Sequence, residues 1–134
     1  MNSLKQLTID LKLQQHVLFA GAQNLPYNVV VQPDLFLMGS HYEGFPNVLL
    51  EANALGIPVI CFDAPGGIHE VVNPNVNGFL VPPQEIEGFA TAIDKAASFP
   101  FDRKKIQEFT LETYSTKSMM EKWEKLFLSV FTTN

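Results

Sequence analysis

Cysteine is nearly absent from this chain: Cys61 is the only one in 134 residues. One thiol closes no internal disulfide and has no zinc-ligand spacing around it, which excludes a disulfide scaffold and a cysteine-built metal knuckle. It sits in the apolar run Val59-Ile60-Cys61-Phe62. Free cysteine is among the most buried residue types, so it reads as packed core rather than as a nucleophile. Positive charge is also scarce. Nine Lys and Arg stand against fourteen Asp and Glu, a net charge of −5, which leaves no basic footprint for nucleic acid. No stretch approaches the ~18 consecutive apolar residues of a membrane span. The start, Met1 to Gln6, lacks the apolar core of a signal peptide behind Lys5. A cytoplasmic location is the expectation, unless targeting signals lie in another part of a longer polypeptide. The chain also has no internal repeat, no low-complexity tract, no HxxxH spacing and no Asp-x-Asp pair.

What is present is an apolar share of 46% with 17% charged residues, the balance of a compact domain. One domain over residues 1–134 is the expectation. The hydrophobic period switches repeatedly. Leu4, Leu7 and Leu11, with Ile9 and Leu13, give a helical stripe for which Ser3 is the expected N-cap. Val17 to Ala20 reads as a short buried strand ended by Gly21, and Pro26 to Gln32 as a short helix. Strands are expected at Asp34–Met38, Pro58–Phe62 and Phe79–Val81. Helices are expected at Pro46–Leu55, closed by Gly56, and from Gly67 to Val72. Three further helices should follow, from Glu85 to Ser98, Asp102 to Thr113 and Ser115 to Phe131. Met119, Met120, Trp123, Leu126, Phe127 and Val130 form the apolar face of the last, a pattern that usually marks core. Strands apolar throughout and separated by helices indicate a parallel sheet covered on both faces. The fold class is therefore α/β, a doubly wound, Rossmann-like parallel sheet, whose ligands sit outside the carboxyl ends of the strands.

The segment best placed for chemistry is Ser40-His41-Tyr42-Glu43-Gly44-Phe45-Pro46-Asn47-Val48-Leu49-Leu50-Glu51-Ala52. It follows a strand, so it lies at the ligand edge. Gly44 lets backbone approach a ligand closely. First-turn N–H groups of a helix have no internal partners, and Pro46 supplies none, so Phe45, Asn47 and Val48 are the expected donors. Free N–H groups at the positive end of a helix dipole suit a diphosphate. Glu51, ~7.5 Å along the helix axis, is better placed to accept hydrogen bonds from ribose hydroxyls than to face a phosphate. Glu43, at the mouth, is positioned to orient a sugar ring or to stabilise positive charge on its anomeric carbon. Taken alone, both also fit ordinary solvated glutamates at a helix start. His41 and His69 lie near the same edge without a triad around them, and fit polar loop residues. His16 looks incidental.

The ordered set of blocks is more specific than any one of them. Glu-Gly-Phe-Pro-Asn-Val-Leu-Leu-Glu-Ala is followed by Gly56-Ile57-Pro58-Val59-Ile60, then Gly66-Gly67-Ile68-His69-Glu70-Val71-Val72, then Asn77-Gly78-Phe79-Leu80-Val81. From about Leu4 to its end the chain resembles the C-terminal, donor-binding domain of retaining family 4 glycosyltransferases of the GT-B fold. The resemblance implies that Glu43 contacts the donor sugar, Glu51 binds the ribose, and the backbone of Gly44, Phe45, Asn47 and Val48 holds sugar and diphosphate. Ala22 and Gln23 would lie by the base. The implied ligand is a nucleotide-diphosphate sugar, UDP- or GDP-linked, with no cofactor and no metal, since such enzymes meet the leaving diphosphate with a helix dipole and basic side chains.

Two features depart from the full pattern. A complete donor domain begins with a strand and a loop bearing Arg and Lys that grip the diphosphate. Nothing before Leu4 supplies them, and Lys5 and Lys12 lie in a helical context. The N-terminal acceptor-binding domain is absent as well, so the expected partners are a nucleotide sugar and that second domain. Any association with a membrane surface would come through the second domain, towards which the last helix of such enzymes usually reaches. The favoured function is sugar transfer to an acceptor hydroxyl in polysaccharide or glycolipid synthesis. The alternatives are a non-catalytic nucleotide-binding or partner module and, ranked below it, a sugar-nucleotide epimerase.

Overall fold

The computed structural model describes residues 2–22 and 33–131. The chain divides into two compact units, Met1–Val30 and Val31–Asn134. In the first, α1 (Asn2–Asp10) is followed by turns in which the N–H groups of Leu11, Lys12 and Leu13 return to the carbonyls of Leu7, Ile9 and Thr8. Ser3, expected as the cap, lies inside this helix. No residue of α1 is buried, and Leu4, Leu7, Ile9 and Leu11 are all exposed. A unit this small has too little interior to cover a helix face. Val17–Ala20, expected as a buried strand, is no part of the described sheet, and Leu18 is 88% exposed. The helix expected at Pro26–Gln32 lies outside the described residues.

The second unit carries the sheet. Its elements are β1 (Phe36–Met38), α2 (Asn47–Ala54), β2 (Val59–Phe62), α3 (Ile68–Val71), β3 (Gly78–Val81), α4 (Ile86–Ser98), α5 (Arg103–Tyr114) and α6 (Thr116–Phe131). The strands lie in the order β1-β2-β3, all parallel, with Phe36 opposite Val59 and Val59 opposite Gly78. Each strand thus returns by a helix, as parallel pairing requires. The order runs one way across the described sheet, without a reversal.

Burial follows from alternation of side chains along β2. Ile60 and Phe62 point with Phe79 and Val81 into one cluster, closed by Ala96, Phe89, Ile93, Phe99 and Phe101. Val59 and Cys61 take the other face, and every residue of β2 is buried. Fully buried Leu49, Ile57, Ile68 and Ile106 complete the interior of the unit. Cys61 is therefore core, as expected, and burial, with the charge of Asp63 beside it, pushes its thiol up to about 12.

Two connections fix α2. Gly56 takes φ +73°, which ends the helix in the left-handed region, and a Cβ there would lie 2.5 Å from the Arg103 carbonyl oxygen. Arg103 Nε and Gln107 Nε2 donate to the carbonyls of Gly56 and Ala54 at 3.1 and 2.8 Å, occupying acceptors that the end of α2 leaves open. Asp102 in turn caps α5 by accepting from the Lys105 N–H, a bond that holds its carboxyl below the ordinary value. At the far side of the unit, Asn77 and Asn53 form a buried side-chain pair. Asn77 Nδ2 donates to Asn53 Oδ1 and to the Val71 carbonyl, while Asn77 Oδ1 accepts from the Asn73 N–H.

The last helix departs from expectation. Ser115 does cap it, its hydroxyl oxygen accepting from the Ser118 N–H. Yet α6 buries no residue, and Met119, Met120, Trp123, Leu126, Phe127 and Val130 are 40–64% exposed. The stripe is therefore not core of this unit.

Candidate functional site

Parallel strands bring their carboxyl ends to one edge, so the loops after Met38, Phe62 and Val81 share that edge. The first loop runs from Gly39 through Glu43 to Pro46 and delivers α2, and the second runs from Asp63 to Gly67 and delivers α3. They meet. Glu43 forms an isolated parallel bridge with Gly66, its N–H donating to the Pro65 carbonyl at 3.3 Å, and the Gly67 N–H donates to the Gly44 carbonyl at 3.1 Å. Gly66 has φ +118°, and a Cβ there would overlap the Glu43 carbonyl oxygen. Only glycine allows this approach. The Gly66-Gly67 pair is therefore more than a turn before a helix: it forms one wall against which the Glu43 backbone is set.

Glu43 is half-buried and Glu51 exposed. Glu51 is the fifth residue of α2, about 6 Å along the axis from Asn47 at 1.5 Å per residue. The start of the helix differs in one respect from expectation. Pro46 occupies the N-cap without a side-chain bond, and the Asn47 N–H folds back to the Phe45 carbonyl at 3.0 Å. Asn47 is thereby occupied, whereas the N–H groups of Phe45 and Val48 donate to nothing among the described residues. The side chains of Phe45 and Val48 are 41% and 44% exposed at the mouth. Ala22 belongs to the other unit and is exposed, and Gln23 lies outside the described residues.

The two histidines of this edge take specific partners. His41 stacks on Phe62 with ring centroids 6.0 Å apart and planes inclined by 10°. His69 Nε2 lies 2.6 Å from Asp63 Oδ1. The Tyr114 hydroxyl donates to the Glu70 carbonyl and ties the end of α5 to α3. Asp63 is the residue that sequence reasoning missed. Its link to His69 spans a glycine turn and matches no strand or helix period. Among the described residues no group of three or more His, Cys, Asp or Glu is placed to hold a metal ion, and no helix is long and apolar enough to cross a membrane.

A family profile described as glycosyl transferases group 1 matches residues 1–112. The chain belongs to the group 1 glycosyltransferases. Within that family it is 34% identical over 114 residues to the lipopolysaccharide 1,6-galactosyltransferase of Escherichia coli K12, covering 81% of this chain and 32% of that protein. Among solved structures it resembles a lipopolysaccharide outer core galactosyltransferase in its apo form, with a TM-score of 0.85 and 27% identity over 96% of this chain and 37% of the other. It also resembles the Anabaena protein HepE in complex with UDP, with a TM-score of 0.80 and 26% identity over 96% and 36% of the two chains. The group 1 chain thus spans about a third of the length of these relatives. The fold is that of a partial C-terminal, Rossmann-like domain of the GT-B glycosyltransferases.

Proposed function

We propose that this chain is the donor-binding part of a retaining glycosyltransferase, which transfers a sugar from a nucleoside diphosphate to an acceptor hydroxyl during synthesis of a bacterial surface polysaccharide or glycolipid. The observation that carries the reading is the clasp at the carboxyl edge: Glu43 set against Gly66, followed at once by the Phe45 N–H before the cap of α2 and the Val48 N–H in its first turn, neither with a described acceptor. A diphosphate fits those donors and the positive end of α2. The base and ribose then lie towards Glu51, and the sugar projects towards Glu43. The Anabaena relative was solved with UDP-glucose as well as with UDP, which favours a uridine donor here, with GDP-linked sugars the other expectation.

In this reading the glycosidic C–O bond to the diphosphate breaks first, leaving positive charge at the anomeric carbon beside Glu43. The departing oxygens gain charge against the helix N–H groups, with no metal required. The acceptor oxygen bonds from the face the diphosphate leaves and gives its proton to an oxygen of the departing diphosphate, so the anomeric configuration is kept. The acceptor is bound by a second, N-terminal domain, and the exposed apolar stripe of α6 is assigned to contact with that domain. Proton NMR of the product formed by the full-length protein from a UDP-sugar and lipopolysaccharide core or teichoic acid acceptors tests this. Transfer with the donor's anomeric configuration is expected. An inverted product rules out retention, and conversion of sugar nucleotide without acceptor indicates an epimerase.

A further inference from the structure

The Glu43 clasp is built from two backbone bonds of 3.3 and 3.1 Å, at or beyond the long end of the ~2.7–3.2 Å range of N–H···O bonds. Such a clasp depends on what holds the opposing segment in place. That segment, Asp63 to His69, has fixed ends. The Asp63 N–H donates to the Val81 carbonyl at 2.7 Å, which ties one end to β3. Ile68, beside His69, is fully buried, and the Tyr114 hydroxyl holds the Glu70 carbonyl on the other side. Between these ends the chain passes through Pro65, Gly66 and Gly67, and two glycines in sequence give it little stiffness of its own.

We infer that Asp63 and His69 are positioning residues: their side-chain bond closes the Gly66-Gly67 strap and holds it against Glu43, fixing the carboxylate that faces the sugar. The 2.6 Å contact between His69 Nε2 and Asp63 Oδ1 spans the strap from end to end. Neither side chain has another described hydrogen-bond partner, and both are substantially open to solvent at 65% and 42%, so their replacement leaves the core intact. The inference rests on the reading of Glu43 as the group facing the sugar.

The test compares Asp63→Ala, His69→Ala, the double variant and His69→Gln in the full-length protein. Amide hydrogen exchange is read without any substrate. The Glu43 and Gly67 amides should exchange about two- to fivefold faster in either alanine variant, the scale expected for an exposed ion pair, and no faster still in the double variant. The Ile57 amide, bonded to Ala52 outside the strap, should not change. Gln at 69 keeps a donor near the Nε2 position and should restore slow exchange. In the transferase assay kcat should fall by a similar factor, while the dissociation constant of UDP stays unchanged. Unaltered exchange at Glu43 and Gly67, additive losses in the double variant, or faster exchange with an unaltered kcat would each overturn the inference. Failure of the glycosyltransferase reading is distinguishable, because it shows as wild-type protein without transfer, whatever the exchange rates.

Discussion

Glu43 and Glu51 stand on one segment, yet their substitution is expected to register in different constants. Glu43 precedes α2, and in the proposed reading the sugar projects towards it while the phosphates lie on the backbone of Phe45 and Val48. Its interaction strengthens as positive charge builds on the anomeric carbon, so its loss falls on the transition state. Glu43→Ala should lower kcat by ~10²–10³, the usual cost of a preorganised electrostatic group, with affinity for the free nucleoside diphosphate nearly intact. Glu43→Gln separates charge from shape: a rate as low as that of Ala means the charge matters, and near-normal rates in both variants remove Glu43 from the site. A second residue-scale expectation concerns stability. Asn77→Ala leaves the Asn53 amide, the Val71 carbonyl and the Asn73 N–H short of partners in a buried setting. At ~1–3 kcal/mol for a buried group left unsatisfied, urea unfolding should show a loss of about 3 kcal/mol. A change within a few tenths would mean that water replaces the amide.

At the scale of elements, the helix and strand periods of residues 34–98 were legible because their apolar runs are bounded by glycine or proline, and Asp102 and Ser115 marked the starts of the two helices that follow. The expected strand at Pro58–Phe62 and helix at Pro46–Leu55 differ from β2 and α2 by a residue or so at their ends. Val17–Ala20 and α6 were not legible in the same way. Their apolar patterns state what a segment would bury, and burial depends on a neighbour the pattern does not name. The clasp was half legible. Glu43 and the Gly66-Gly67 pair stood out, but their contact joins two loops, and the Asp63–His69 link has no period at all. The fold-back of the Asn47 N–H was equally hidden, since it follows from the backbone angles at Pro46, φ −85° and ψ 74°. One prediction belongs to this scale. Asp102 caps α5, which in turn holds the end of α2. Its carboxyl is lowered in the folded protein, so its contribution is fully present above the ordinary carboxylate range and is lost as pH falls through the lowered value. Asp102→Ala should reduce Tm at neutral pH, and the difference should shrink on acidification. A difference that grows at low pH contradicts the cap.

For the whole molecule, the relatives are about three times the length of this chain, and in the proposed reading the described edge supplies only the donor side of a cleft. The purified 134-residue chain should therefore show negligible transfer from any donor, and turnover comparable to that of a full-length relative would disprove this. The account depends most on the claim that the segment from Glu43 to Glu51 binds a nucleoside diphosphate. Glu51 tests it more directly than any activity, because a carboxylate bonded to ribose holds ground state and transition state alike and its removal acts on binding. The decisive measurement is calorimetric titration of UDP, or GDP if UDP does not bind, into the full-length protein and its Glu51→Ala variant. A hydrogen bond to a charged group contributes ~1.5–3 kcal/mol, so the dissociation constant should rise roughly 10- to 150-fold. An unchanged dissociation constant would contradict the claim and place the nucleotide elsewhere.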